Sequence, residues 1–119
     1  MSAAPDLRVL VVDDQAAFRR AAALLVRAAA GLTLVGEAAS GEEAVALTHS
    51  LRPDLVLMDV RLPGINGPEA TRRILAERPA TRIILMSTYE PADLPADLDQ
   101  CGAERFLRKQ DIDGAALLA

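Results

Sequence analysis

Short apolar blocks alternate along the chain with stretches of helical periodicity. Leu55-Val56-Leu57-Met58 shows this most clearly: four apolar residues without polar alternation, too short for an independent helix, and ended by Asp59. Such a run predicts a strand buried on both faces, as in a parallel sheet. Similar runs at 7–12, 32–35, 82–86 and 104–108 predict four more strands. Between the first two, 15–30 lacks Gly and Pro and repeats Phe18, Ala22, Leu25 and Ala29 at helical spacing, with Gly31 as its stop. Ser40-Gly-Glu-Glu43 has the spacing of a capping box, and Ala44, Leu47, Thr48 and Leu51 give the second helix a face toward the sheet. Pro68 fits the first position of a third helix over 68–77, after the turn formers Leu62-Pro63-Gly64-Ile65-Asn66-Gly67. The fourth is expected to be irregular, because 90–99 carries Pro91 and Pro95, and Gly102 closes it. From Asp113 only a turn or two of a fifth helix remains, marginal unless docked.

Strict strand and helix alternation predicts an α/β fold, a five-stranded parallel sheet covered on both faces, because each parallel connection needs a right-handed helical crossover. The small member of that class is flavodoxin-like, with strand order 2-1-3-4-5 and a switch point between strands one and three. Asp13 and Asp14 end strand one and Asp59 ends strand three, so this order brings three carboxylates to one rim of the sheet. That rim, at the carboxyl ends of the strands, is where such folds bind ligands.

Composition narrows the chemistry. At 119 residues, half of them apolar, the chain is read as a single domain over 1–119 with its core at about 7–109. A net charge of -4 argues against a nucleic-acid surface, so DNA contact is expected only through an output domain outside this chain. There is no apolar run of membrane-spanning length, and Met1-Ser-Ala-Ala-Pro5 lacks a signal-peptide pattern. The lone Cys101 permits no internal disulfide and fits a cytoplasmic location; it reads as a small apolar filler. His49 reads as a solvated helix residue. Basic charge comes from twelve arginines and a single lysine, Lys109, which follows strand five.

Two carboxylates about 4 Å apart repel by roughly 4 kcal/mol at an effective dielectric near 20, so three need a cation or a shared proton. Oxygen ligands without histidine or cysteine indicate a hard cation. Magnesium fits because it takes few carboxylates, keeps waters and leaves room for phosphate oxygens at about 2.1 Å. Ser87 after strand four and Lys109 add a hydroxyl and a compact ammonium at the same rim. Acids, hydroxyl and ammonium together suit a phosphoryl group, with Asp59 as nucleophile.

These residues resemble the receiver domain of two-component response regulators, across 7–109. The marks are Asp13-Asp14, Asp59 followed by Pro63-Gly64 and Gly67, then Ser87, Phe106 and Lys109, each at or near a strand end. The resemblance implies that Asp59 accepts phosphate from a histidine kinase or phosphotransfer protein, and that the domain catalyses its own phosphorylation and dephosphorylation. It implies magnesium bound by Asp14 and Asp59, by Asp13 mostly through water, and by the carbonyl of Arg61. Ser87 and Lys109 would bind phosphoryl oxygens with the N–H groups of Arg61 and Thr88, and Phe106 would turn inward when Ser87 moves. Val35-Gly36-Glu37-Ala38 resembles receivers that precede helix-turn-helix output domains. The short fifth helix favours an N-terminal receiver separated from such a domain over a stand-alone protein. Dimerisation is expected through the face of the fourth helix, fifth strand and fifth helix.

Gln110 replaces the proline that follows the lysine in many receivers, which removes the usual reason for a cis bond there. Arg61 and Tyr89, two residues beyond Asp59 and Ser87, are expected to screen a phosphoryl group from water and prolong the phosphorylated form. Two other classes of protein use parts of this pattern. A haloacid-dehalogenase-like phosphatase needs a second acid two residues after the nucleophile, where this chain has Arg61. A phosphorylation-independent pseudo-receiver keeps the fold as an interaction module, but has no need of intact acids, Ser87 and Lys109.

Overall fold

The computed structural model describes residues 5–88 and 100–118. Its strands are β1 (Leu7–Val12), β2 (Leu32–Ala38), β3 (Leu55–Asp59), β4 (Arg82–Ser87) and β5 (Arg105–Arg108). All pair in parallel in one sheet of order β2-β1-β3-β4-β5, as the alternation predicts. The helices are α1 (Ala16–Ala28), α2 (Gly41–Leu51), α3 (Gly67–Glu77) and the C-terminal α4 (Gly114–Leu118). Tyr89 and the stretch 90–99, where the irregular fourth helix was expected, lie outside the described residues.

Alternate strand residues feed two cores, the consequence of the two-residue side-chain period. Leu10, Val12, Val56, Met58, Ile83 and Leu85 pack with Ala44 of α2 and with Ala70 and Ile74 of α3; Cys101 joins this cluster. On the other face, Val9, Val11, Leu55, Leu57, Ile84 and Met86 pack with Ala22 and Val26 of α1 and Leu117 of α4. β3 is buried at every position, matching its unbroken apolar run.

Local chemistry sets the boundaries. Ser40 Oγ accepts the Glu43 N–H at 3.1 Å, while the Glu43 carboxylate reaches back to the Ala39 N–H at 2.8 Å, so the capping box forms with its return bond one residue early. Helix α3 starts one residue before Pro68, because Asn66 Oδ1 accepts the Glu69 N–H at 2.9 Å and is the cap. The second strand runs to Ala38, three residues beyond the expected end. Its register slips between Val9 and Leu10, leaving Val35 as a bulge. Gly36 lies inside the strand as a packing contact: a Cβ there would lie 2.8 Å from Leu51 Cδ1. The five-residue α4 is docked as its length requires, with Leu117 fully buried, the Ala116 N–H capped by Asp113 at 2.7 Å, and Arg105 donating to the Ala116 carbonyl. Lys109–Asp111 forms a 3₁₀ turn, and the peptide after Lys109 is trans.

Candidate functional site

Parallel pairing puts every strand's carboxyl end at one rim, and the expected residues gather there. Oxygens of Asp13, Asp14 and Asp59 lie within 4.8 Å of one another, with Asp13 and Asp59 buried and Asp14 exposed. The Lys109 ammonium stands 2.6 Å from Asp13 Oδ2 and 3.2 Å from Asp59 Oδ2. Ser87, at the end of β4, is buried. Thr88 is exposed just beyond it.

The backbone around each acid fixes its direction. Asp13 continues the β1 ladder through its N–H to the Ala38 carbonyl at 3.0 Å, and its Oδ1 accepts the Gln15 N–H at 2.8 Å. Arg19, in the first turns of α1, donates to the Asp13 carbonyl at 2.8 Å and pairs with Glu37 of β2 at 3.5 Å. Asp59 Oδ1 accepts the Arg61 N–H at 3.1 Å, so in this state that amide serves the carboxylate. The loop behind Asp59 is held by close approach. A Cβ on Gly67 would lie 2.5 Å from the Asp59 carbonyl oxygen and 2.9 Å from Val60 Cα, which only glycine permits. Glu42 of α2 accepts the Ile65 N–H at 3.1 Å and pins the loop's far side.

Three carboxylates facing one ammonium leave two formal negative charges in surplus at this rim. Burial drives the Asp59 carboxyl above its ordinary value; Lys109 and the Arg61 N–H oppose the shift without cancelling it, and Asp13 adds to it. Burial alone would lower Lys109, but the Asp13 and Asp59 carboxylates outweigh it and hold the ammonium above its usual value. Asp13 Oδ2 is buried, with the Lys109 ammonium 2.6 Å away as its charge partner. Three carboxylates whose oxygens lie within 4.8 Å of one another form an all-oxygen donor set with surplus negative charge, which suits a hard divalent cation, so the residues present fit one.

Phe106 lies opposite Leu85 in the β4–β5 register, half-buried against the α2 and α3 core, on the sheet face shared with Ser87. His49 is exposed, as expected, and contacts Glu77 across α2 and α3. Three contributors were not anticipated. Arg19 and Glu42 act through the backbone and leave no spacing signature. Phe18 was read only as part of the helical repeat of the first helix; it packs against the core there, and its ring centroid is 4.3 Å from Lys109 Nζ.

Fold and rim together define a doubly wound α/β domain whose switch point carries three clustered aspartates beside the chain's single lysine. A family model for the response regulator receiver domain matches residues 9–118. Response regulator GacA of Pseudomonas viridiflava is 41% identical over 103 residues, 87% of this chain and 48% of that protein. A protein-glutamate methylesterase/protein-glutamine glutaminase of Myxococcus xanthus is 44% identical over 105 residues, 87% of this chain and 30% of that protein. The signal receiver domain of the putative response regulator NarL from Mycobacterium tuberculosis superposes with a TM-score of 0.89 at 29% identity, covering 97% of this chain and 95% of that one. The chain belongs to the response regulator receiver domains of two-component systems. It spans about half the length of GacA, so it corresponds to one part of such a protein.

Proposed function

We propose that this receiver takes a phosphoryl group on Asp59 from a phosphohistidine of a histidine kinase or phosphotransfer protein, with magnesium held by Asp13, Asp14, Asp59 and the Arg61 carbonyl. The supporting observation is the Asp13, Asp14 and Asp59 cluster with Lys109 between two of its members. When bound, magnesium would neutralise the surplus negative charge and polarise the phosphoryl oxygens. An Asp59 oxygen attacks phosphorus as the bond to the donor nitrogen breaks, and the donor ring, protonated on its other nitrogen, leaves as neutral imidazole. Lys109 releases its carboxylate contacts to meet a phosphoryl oxygen. Ser87 and the N–H groups of Arg61 and Thr88 bind the others, and Phe106 follows Ser87 inward.

Output lies beyond the site. The likeness to GacA, twice as long as this chain, supports a receiver that governs an attached domain, which we assign to the DNA-binding helix-turn-helix class. Dimerisation through β5, α4 and the helix expected at 90–99 would carry the signal. Absence of a described helix long and apolar enough to cross a membrane accords with action in the cytoplasm.

Intact mass after incubation with acetyl phosphate, with and without magnesium, tests the chemistry. One added phosphoryl group is expected, dependent on magnesium and lost in Asp59→Asn. No gain under conditions that label a reference receiver would leave the pseudo-receiver reading in its place.

A further inference from the structure

Lys109 is almost wholly enclosed, its side chain 6% exposed, and an ammonium has three N–H donors to satisfy. Asp13 Oδ2 and Asp59 Oδ2 take two directions. On the α1 side, the Phe18 ring centroid lies 4.3 Å from Nζ. At that distance the negative face of the ring attracts the cation, and the attraction grows where water is excluded.

Phe18 packs against the core on the α1 face of the sheet, and composition sets its contact with Lys109 apart. The chain has two phenylalanines, one tyrosine and no tryptophan, and α1 otherwise fills its sheet face with Ala, Leu and Val. One of the two phenylalanines meets the chain's single lysine. Phe18 also sits next to Arg19, which holds the Asp13 carbonyl, so consecutive residues of α1 brace both partners of the Lys109–Asp13 pair.

We propose that Phe18 is a positioning residue for the phosphoryl reaction, holding the Lys109 ammonium by a cation–π contact when it leaves the carboxylates. The inference rests on the phosphoacceptor reading above. An ammonium with only carboxylate neighbours is strongly bound where a cation must enter. The ring gives it a second, uncharged contact that does not compete with a metal for oxygen, so the lysine stays at the rim and in reach of a phosphoryl oxygen. Its effect falls on the rate of phosphoryl transfer and not on metal affinity, because Phe18 offers the metal no ligand.

The test keeps ring size nearly constant and removes the π charge. Phe18 is replaced by mono-, di- and trifluorophenylalanine, and magnesium-dependent labelling by acetyl phosphate is followed by intact mass. The logarithm of the labelling rate should fall stepwise with fluorination, reaching about tenfold with the trifluoro ring, with magnesium affinity unchanged. Phe18→Leu should match the slowest member, and Phe18→Tyr should restore the rate. A purely structural role predicts a flat fluorine series. In the metal-free protein, the Lys109 ε-methylene protons should show an upfield ring-current shift that disappears in Phe18→Leu. Labelling indifferent to fluorination, or an absent ring-current shift, overturns this inference alone. Failure of the unmodified protein to label at all overturns the phosphoacceptor reading and this inference with it.

Discussion

The two rims of the sheet handle charge in opposite ways. At the amino ends of the strands, charges are matched and lie near solvent. Arg82 grips Glu104 with two bonds of 2.8 Å, and Arg8 donates to the carbonyls of Leu51 and Arg52 while its N–H reaches Asp54 at 2.9 Å. Those contacts close the end of α2, where Arg52 adopts a left-handed conformation (φ 52°), and tie neighbouring strands. At the carboxyl ends, Asp13, Asp59 and Lys109 are buried, and acids outnumber cations. One rim stabilises the fold; the other holds a surplus of negative charge that a cation can relieve. The surplus charge is concentrated at the rim where folds of this class bind ligands, as expected of a functional site.

The comparison breaks most sharply at Lys109. Lys109→Met leaves the buried acids without their cation and should destabilise the metal-free protein by about 3 kcal/mol, read by denaturant unfolding. Magnesium should recover much of that loss and stabilise the variant more than the wild type, because a cation then supplies the missing charge. Equal magnesium effects on both proteins would mean the three carboxylates do not share one ion.

Gly67→Ala probes the support behind the acids. The new methyl meets backbone at 2.5 Å, so the loop must shift, costing about 2 kcal/mol and carrying Asp59 with it. Labelling should slow along with the loss of stability, whereas unchanged labelling would show that the loop does not place Asp59. The smallest effect belongs to the opposite rim. Arg82→Gln removes a half-exposed ion pair and should cost no more than about 1 kcal/mol, with the labelling rate unaltered. A slowed reaction there would show that the two rims are coupled.

Much of this was legible in the chain before any coordinates. Strand β3 could be read because both its faces are buried, which demands an unbroken apolar run, and order 2-1-3-4-5 followed from the alternation of elements. Asp13, Asp14, Asp59, Ser87 and Lys109 were legible because each stands at a strand end, where chain position and spatial position coincide. The bulge at Val35 and the longer β2 were not, since Gly36 serves a contact with Leu51, distant in sequence. The start of α3 shifted by one residue because Asn66, read as a turn former, caps the helix instead.

Sequence alone determined the fold class, the rim on which the acids gather and the kind of cation they suit, because strand periodicity and residue type act locally. Tertiary structure alone decided that Lys109 lies between Asp13 and Asp59, that Arg61 donates to Asp59, that Gly67 is pressed against the Asp59 backbone, and that Phe18 faces the ammonium. Distances of a few ångströms between residues up to 96 positions apart depend on how helices settle on the sheet, which no local pattern encodes.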